Sequence, residues 1–318
     1  MNTPYGTQLR DAVARGRILP VVGVYDVFSA SLAARHFDAL FVSGFGFAAS
    51  HYGLPDIGFI AWPDIIDFVG RVRTVLPEHH LLVDIDDGYC DPEVACHVVS
   101  LLERAGASGV VLEDQKRPRR CGHLADKQIM HLDEYLVKLR KVLATRRNLF
   151  VVARTDVSEP REVVRRAAAF AEAGADAVLA DSLENLDMLA ELRRKVGKPI
   201  VFNQIAGGKS PPCTLTQLAG LGASLVIYST PCLFAVQSAV DEALVDLKAR
   251  DGMLPAGGVG VPECTSLLAT NLARRDEGVP RLRLEAASDA SVSHPVVRAN
   301  ALPRPSKPAR RTVARPKP

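Results

Sequence analysis

Short apolar segments alternate with longer amphipathic segments from about residue 18 to residue 250. The short segments are typical of buried strands, whereas the longer ones repeat their apolar positions at helical spacing. The predicted strands are 18–24, 39–43, 81–86, 109–113, 149–154, 177–181, 200–203 and 224–228. The helices predicted to follow them are 27–36, 62–75, 92–105, 132–144, 160–173, 183–196, 214–221 and 233–249.

This strict alternation predicts a parallel sheet. Gly106-Ala107, Gly174-Ala175 and Gly222-Ala223 stand before strands, where glycine ends a helix and returns the chain to the sheet. An open doubly wound sheet usually has fewer such units, and the first strand lacks the G-x-G-x-x-G turn of that fold. The sequence therefore predicts a (β/α)8 TIM barrel.

The C-terminal part of the chain differs from the barrel in composition. A further amphipathic helix is predicted at 262–274, and from about residue 285 the chain is rich in Ala, Pro, Ser and Arg, which is typical of disorder. We assign 1–278 to the barrel and its C-terminal helix, and 279–318 to a disordered basic tail. Residues 281–318 carry nine basic and two acidic residues, so the remainder has 30 minus 34, or −4, against +3 for the whole chain. A solvated tail is favoured over a nucleic-acid-binding segment.

Several protein classes are excluded by composition. Charged residues interrupt every apolar run before the roughly 18 to 20 residues that a membrane-spanning helix needs. Residues 1–17 carry four charged side chains and no apolar core of a secretory signal. The six cysteines are scattered without C-x-x-C pairs, so they are expected to be thiols. We expect a cytoplasmic protein.

Carboxylates cluster at the predicted strand ends, which form the active-site face of a barrel. Asp84, Asp86 and Asp87 end the third strand, and Glu113 ends the fourth. Converging carboxylates repel each other unless a cation neutralises them, and oxygen ligands without clustered histidines favour Mg²⁺ or Mn²⁺ over Zn²⁺. Strand alternation puts Asp84 and Asp86 on one side, with Glu113 one strand over, and Asp87 on the other side. The alternative is that these acids cap turns and helices, which we favour for Asp87 but not for Asp84.

A basic loop, residues 116–123, follows the fourth strand and encloses Cys121. Surrounding positive charge is expected to lower the thiol pKa and to make this cysteine the reactive one. His123 would tune the thiol or bind a carboxylate, and the arginines of the loop would hold an anionic substrate. A plain surface basic patch is the alternative, and composition alone does not decide between them.

Together these residues resemble the isocitrate lyase and phosphoenolpyruvate mutase superfamily. The resemblance covers roughly residues 5–275. Its motifs occur in the family's order: Ser43-Gly44-Phe45-Gly46, His51-Tyr52-Gly53-Leu54-Pro55-Asp56, Asp84-x-Asp86-x-Gly88-Tyr89, Glu113-Asp114-Gln115, Pro118-x-Arg120-Cys121-Gly122-His123-Leu124 and Ala153-Arg154-Thr155-Asp156. The Cys-Gly-His loop is similar to that of the carbon–carbon lyase branch, typified by 2-methylisocitrate lyase.

The resemblance implies a function and a set of site residues. It implies a lyase that cleaves a small anionic 2-hydroxy di- or tricarboxylate to pyruvate or glyoxylate, with Cys121 as proton donor beside His123 and Arg154. It implies Mg²⁺ at Asp84, with Asp86 and Glu113 acting directly or through water. Substrate contacts are implied for Tyr25, Ser43, Gly44, Phe45, Asp56, Gly122, Arg154 and Asn203. It further implies dimers or tetramers that exchange a C-terminal helix.

Two alternatives and several departures from the family pattern stay open. Phosphonate P–C chemistry or oxaloacetate decarboxylation on the same scaffold is disfavoured by the Cys-Gly-His loop, and a non-catalytic barrel by the presence of Asp84 and Cys121. The chain has Cys90 where a small glycine is usual, Asp181-Ser182 where the lyases favour Glu-Ala, and its own sequence at 204–209. These departures leave the third substituent of the substrate open.

Overall fold

The computed structural model describes residues 4–255 and 257–278 of the chain. Within them, eight parallel strands close into a barrel in sequential order, which confirms the predicted TIM barrel. The strands are β1 (Leu19–Val24), β2 (Ala39–Val42), β3 (His80–Asp84), β4 (Gly109–Glu113), β5 (Phe150–Thr155), β6 (Ala177–Ala180), β7 (Ile200–Asn203) and β8 (Ala223–Tyr228).

Helices surround the barrel and close its N-terminal end. They are α1 (Tyr5–Ala14), α2 (Val27–Ala33), α3 (Gly44–Phe47), α4 (Trp62–Val75), α5 (Pro92–Ala105), α6 (Leu132–Thr145), α7 (Pro160–Glu172), α8 (Asp187–Val196), α9 (Leu215–Gly220), α10 (Pro231–Ala249) and α11 (Val261–Gly278). Leu9 and Val13 of α1 join the apolar cluster inside the barrel. Two short elements were not predicted: α1, and α3 with the π-helical turn Ala48–Tyr52 that follows it.

The barrel interior is built in layers from alternate strands. Even-numbered strands supply one apolar layer, Phe41, Val111, Leu179 and Ile227, and odd-numbered strands the layer below, Val21, Leu82, Val152 and Val201. Side chains along a strand point alternately into the barrel and out of it. On each strand, the next inward residue toward the C-terminal end is therefore two positions beyond the residue in the apolar layer. Those positions are polar or glycine: Gly23, Asp84, Arg154 and Asn203 on odd strands, Glu113 at the end of β4, and Ser43, Asp181 and Ser229 just beyond the other even strands.

The last two helices differ from the rest. Helix α10 carries no buried residue, and Val236, Val240 and Leu244 on it are 45%, 50% and 59% exposed. Helix α11 packs on α4, and its Asn271 donates a hydrogen bond of 2.7 Å to Ser31 of α2. None of the helices in the described residues is long and apolar enough to cross a membrane. The predicted tail, 279–318, lies outside the described residues.

Candidate active site

A narrow cavity opens at the C-terminal end of the barrel, above the layer that contains Leu179. Its walls combine the inward polar positions with one loop over the mouth, and its volume is about 20 Å³, room for about one water molecule. The lining residues are Phe41, Ser43, Phe45, Asp56, Asp84, Val111, Arg119, Cys121, Gly122, His123, Arg154, Leu179, Asp181, Asn203, Ile205, Ile227 and Ser229. The site is therefore assembled from seven of the eight strand ends, or the loops after them, together with the loop over the mouth.

The three predicted metal ligands lie in one buried cluster. The Asp86 amide donates to Asp84 Oδ1 at 3.2 Å, and the Glu113 amide donates to the Asp86 carbonyl at 2.9 Å. Strand β3 ends at Asp84, and Asp86 has a φ of 50°, in the left-handed region. The predicted strand alternation is thus wrong for Asp86: a turn, not a continuing strand, returns its carboxylate to Asp84.

A buried arginine lies among these carboxylates. Arg119 is 1% exposed, its Nε donates to Glu113 Oε1 at 2.9 Å, and its Nη1 bonds Asp56 and lies 3.4 Å from Asp86 Oδ1. Charged groups are buried in proteins when they are paired in this way. Arg119 is therefore part of the wall and links the Asp56 segment to strand β4.

The prediction that the loop arginines hold the substrate is wrong for Arg117, which is exposed and does not line the cavity. Arg119 lines the cavity, and for it this role stays a prediction. Arg117 Nη2 pairs with Asp87 Oδ1 at 2.9 Å, so both guanidinium groups are neutralised by protein carboxylates. The plain basic patch is also wrong, because Arg119 is buried. Asp87 accepts the Cys90 amide at 3.0 Å and caps a turn, whereas Asp91 caps α5.

Burial raises the pKa of the clustered carboxyls. The pKa of Asp86 rises to about 7, that of Asp84 rises, and that of Glu113 rises well above its usual range, although Arg119 and Arg154 oppose the increase. Both Oδ atoms of Asp86 and Oε2 of Glu113 are buried and accept no hydrogen bond. The cluster thus carries more carboxylate than its arginines satisfy, which favours an additional cation.

The donor set fits a hard divalent ion in its chemistry. Buried carboxylate oxygens without hydrogen-bond donors are ligands that Mg²⁺ prefers, directly or through its waters. In residues 4–255 and 257–278, no three His, Cys, Asp or Glu side chains are arranged as direct ligands of one metal ion. Arg119 lies between Asp56, Asp86 and Glu113, which agrees better with ligation through water than with direct ligation by three carboxylates. The magnesium ion itself stays a prediction.

A second network centres on Arg154. Arg154 Nη2 lies 2.7 Å from Asp181 Oδ2, 3.0 Å from Asp156 Oδ1 and 3.4 Å from Glu113 Oε2. Asn203 Nδ2 donates to Asp181 Oδ1 at 2.9 Å. These contacts fix both the guanidinium and the amide at the cavity wall.

Two members of this wall were not among the predicted site residues. Asp181 was noted as the acidic end of the sixth strand and as a departure from the family, but it was given no role in the site. Ser229, which donates to Asn203 Oδ1 at 2.8 Å, was not noted. Each lies two residues beyond a buried inward residue, Leu179 or Ile227, and this spacing is the signal that finds them. Burial raises the pKa of Asp181, but Arg154 and other donors outweigh it and hold the pKa below its usual range. Asp181 is therefore an anion.

The loop over the mouth, residues 116–128, is called the Cys121 loop. Gln115 holds it: its Nε2 donates to the Arg120 carbonyl at 2.8 Å, and its Oε1 accepts the Arg120 amide at 2.9 Å. Lys127 Nζ donates to the Gly122 carbonyl at 2.6 Å. A Cβ on Gly122 would lie 2.0 Å from Asp181 Oδ2, so only glycine allows this close approach.

The expectation of a lowered Cys121 pKa is wrong. Burial raises the pKa of the thiol to about 11; Asp56 and Asp181 add to this, while the His123 amide and Arg154 oppose it. The physical reason is that the charges of Arg117 and Arg119 are already paired with carboxylates. The thiol therefore stays protonated at neutral pH, as a proton donor requires.

His123 also lies at the cavity. Its Nδ1 accepts the Lys209 amide at 3.0 Å, and its Nε2 is buried 3.8 Å from Asp181 Oδ1 without a hydrogen bond. Burial lowers the pKa of His123, although Asp181 opposes this. Because Nδ1 is an acceptor, the neutral ring carries its proton on Nε2, which faces the cavity.

Most predicted substrate contacts do line the cavity: Ser43, Phe45, Asp56, Gly122, Arg154 and Asn203. Gly44 does not, but a Cβ there would lie 2.9 Å from Asp84 Oδ2, so glycine leaves room for that carboxylate. Tyr25 is not among the residues that line the cavity either. It is 7% exposed and packs closely against Gly46 of α3.

Comparison with known proteins agrees with this geometry. The sequence profile of the phosphoenolpyruvate phosphomutase family matches residues 9–248. The petal death protein of Dianthus caryophyllus is 33% identical over 235 residues, 72% of this chain and 74% of that protein. A 2-methylisocitrate lyase of Shewanella oneidensis is 33% identical over 236 residues, 72% of this chain and 80% of that protein.

Solved structures match over most of the chain. A 2,3-dimethylmalate lyase has a TM-score of 0.82 at 26% identity, covering 87% of this chain and 95% of that one. Structures of an oxaloacetate acetylhydrolase and a phosphonopyruvate hydrolase also match in fold. The resemblance drawn from the motifs is confirmed, and the chain belongs to the isocitrate lyase and phosphoenolpyruvate mutase superfamily, a family of lyase and mutase enzymes.

Proposed function

We propose that the protein is a Mg²⁺-dependent carbon–carbon lyase that cleaves a 2-hydroxy di- or tricarboxylate of the 2-methylisocitrate type. The products are a 2-oxo acid, pyruvate or glyoxylate, and a carboxylate. The observation that carries this proposal is the placement of Cys121, His123 and Arg154 together at the cavity. Burial, which raises the pKa of the Cys121 thiol, suits this cysteine to proton donation. The name of the S. oneidensis relative supports the same reaction class.

The substrate's 2-hydroxy and 2-carboxylate groups bind at the carboxylate cluster. Asp84 would hold Mg²⁺ there, with Asp86 and Glu113 acting directly or through water. When bound, the ion supplies a Lewis acid that lowers the pKa of the hydroxyl group. The Asp56–Arg119 pair closes this side of the cavity and keeps the carboxylates in place.

Cleavage leaves charge at the other end of the substrate. A carboxylate of the buried cluster accepts the proton of the hydroxyl group. The O–H electron pair then forms the C2 carbonyl, and the electron pair of the C2–C3 bond passes to C3. Arg154 and the Nε2–H of His123 stabilise the resulting carboxylate-stabilised carbanion, and Cys121 transfers its thiol proton to C3. Each product keeps the atoms of its half of the substrate.

The Cys121 loop must move for turnover. A cavity of about 20 Å³ has no room for a di- or tricarboxylate, so the structure represents a closed arrangement. Opening of the loop admits substrate, and closure brings Cys121 to the reacting carbon and excludes water from the carbanion.

The test is 2-oxo acid release from a panel of 2-hydroxy di- and tricarboxylates, with Mg²⁺ and with EDTA. Metal-dependent release is expected, and Cys121→Ser is expected to lower kcat by about 10²- to 10⁴-fold, the usual contribution of a positioned general acid. Cys90→Ser is the matched control, because Cys90 is exposed and does not line the cavity. Full turnover in Cys121→Ser would remove the proton-donor role.

Oxaloacetate cleavage or phosphonate P–C chemistry is the second candidate, because the matching structures include an oxaloacetate acetylhydrolase and a phosphonopyruvate hydrolase. Oxaloacetate and phosphonopyruvate therefore belong in the same panel. Turnover of either one, with no product from any hydroxy acid, would favour this candidate. Phosphate release identifies P–C cleavage.

We also propose that the protein is a dimer or tetramer in which subunits exchange a C-terminal helix. The apolar, unburied surface of α10 supports this, because contiguous exposed apolar residues are typical of subunit interfaces. Light scattering of the wild type should give a mass of two or four chains. Leu244→Glu should lower that mass, whereas a monomeric wild type would contradict the proposal.

A further inference from the structure

The charge layout of the cavity restricts what the substrate can carry. Three carboxylates, Asp56, Asp84 and Asp181, line the cavity, against two guanidinium groups, those of Arg119 and Arg154. Asp86 and Glu113 add two more carboxylates directly behind Arg119. Carboxyl groups at this site therefore outnumber guanidinium groups, five to two.

Both guanidinium groups are occupied by protein carboxylates. Arg119 pairs with Asp56 and Glu113, and Arg154 pairs with Asp181 and Asp156. With one metal ion at the hydroxy-acid end, the remaining donors suit one further carboxylate, at Arg154 and His123. A third carboxylate would find no cation of its own among the described cavity residues.

The nearest lysines lie outside the cavity. Lys127 is held by the Gly122 carbonyl and by Ser182, and the exposed Lys209 lines a separate surface cleft. Neither lysine is among the residues that line the cavity.

The rest of the wall is mostly apolar, with Ser43, Asn203 and Ser229 as its neutral polar residues. Phe41, Val111, Leu179 and Ile227 form the floor, and Phe45 of α3 and Ile205 of the loop after β7 contribute further apolar side chains. Ile205 belongs to the segment 204–209, which departs from the family sequence. An apolar wall favours an alkyl group and penalises a charged one that has no partner.

We propose that the substrate is a dicarboxylate with a small alkyl group at C3, and that a tricarboxylate is rejected. This inference rests on the proposed lyase function. The apolar Ile205 discriminates, because it leaves a third carboxylate desolvated and without a cation.

A matched pair of substrates tests the inference. 2,3-Dimethylmalate and 2-methylisocitrate share the same 2-hydroxy acid core and both release pyruvate, but C3 carries a methyl group in one and a carboxymethyl group in the other. With Mg²⁺, kcat/KM for 2,3-dimethylmalate should exceed that for 2-methylisocitrate by at least about 100-fold. Equal or faster cleavage of 2-methylisocitrate overturns the inference but leaves the lyase function intact.

Variants on one loop provide the control. Ile205→Arg places a cation at the cavity wall and should lower the preference at least about tenfold. Ala206→Arg adds the same charge to the adjacent exposed residue, which does not line the cavity, and should keep the wild-type ratio. An unchanged ratio in Ile205→Arg contradicts the assignment of this wall. Pyruvate from neither substrate overturns the inference, and 2-oxo acid release from none of the hydroxy acids of the panel overturns the lyase function as well.

Discussion

Replacing Gly122 by alanine is expected to hold the Cys121 loop away from the barrel mouth. The added Cβ would lie 2.0 Å from Asp181 Oδ2 and 2.5 Å from Arg154 Nη2 when the loop is closed. Neither atom can retreat freely, because Asp181 is hydrogen-bonded to Asn203 and paired with Arg154. The clash therefore acts on the closed state, and opening the loop relieves it.

The magnitude follows from the cost of overpacking. Inserting one methyl group into a well-packed site costs about 1–3 kcal/mol. At about 1.4 kcal/mol per factor of ten, closure becomes about 5- to 150-fold less favourable, and kcat/KM should fall by the same factor. The free energy of unfolding should change little, because the open loop leaves the barrel core intact.

Two assays measure the effect. Pyruvate release reports turnover, and iodoacetamide labelling of Cys121, located by mass spectrometry, reports loop opening without any substrate. Labelling should be faster in Gly122→Ala than in the wild type. The control is Gly70→Ala, where nothing lies within 4 Å of the added Cβ, so turnover and labelling should stay at wild-type values. Wild-type labelling and turnover in Gly122→Ala would refute the reasoning, since the close approach would then not limit closure.

Three further outcomes are expected. Arg119→Met should lower the free energy of unfolding by about 3–5 kcal/mol in urea titrations at neutral pH, because it leaves Glu113 and its neighbours without their buried cation. A loss under about 1 kcal/mol would show that the carboxyl cluster tolerates the removal of this cation. Gln115→Leu removes both hydrogen bonds to Arg120, so Cys121 labelling should accelerate while KM rises, whereas unchanged labelling would exclude Gln115 as the anchor. Burial raises the Cys121 pKa from 9.0 to about 11, so as pH rises the thiol ionises in the unfolded chain before it ionises in the folded protein. The free energy of unfolding should therefore fall between about pH 9 and pH 11. Cys121→Ser should lack this part of the pH dependence.

The position of a residue within a strand explains why many site residues could be predicted. The acidic ends of β3 and β4 and the Cys-Gly-His loop are local in sequence, and the barrel brings strand ends together whatever their side chains are. Six of the eight predicted substrate contacts line the cavity for this reason. Asp181 and Ser229 were missed because their role depends on which face of the strand points inward.

The charges in the site could not be predicted in this way. The sequence places Cys121 among basic residues, but Arg119 pairs with Asp56, which is 63 positions away, and the thiol is left with a raised pKa. The family resemblance implied that Tyr25, which follows β1, is a pocket residue, yet it is buried against Gly46 of α3 and does not line the cavity. Pairing and burial are properties of the packed molecule, and sequence proximity does not determine them.

The sequence by itself determined the eight-unit barrel and the face that carries the chemistry, because both follow from periodic local patterns that one kind of packing satisfies. Only the tertiary structure decided which arginines are neutralised, which thiol state Cys121 adopts and which wall the substrate meets. Those properties depend on distances between residues that are far apart in the chain. They also depend on whether burial or neighbouring charge has the larger effect on the pKa of each group.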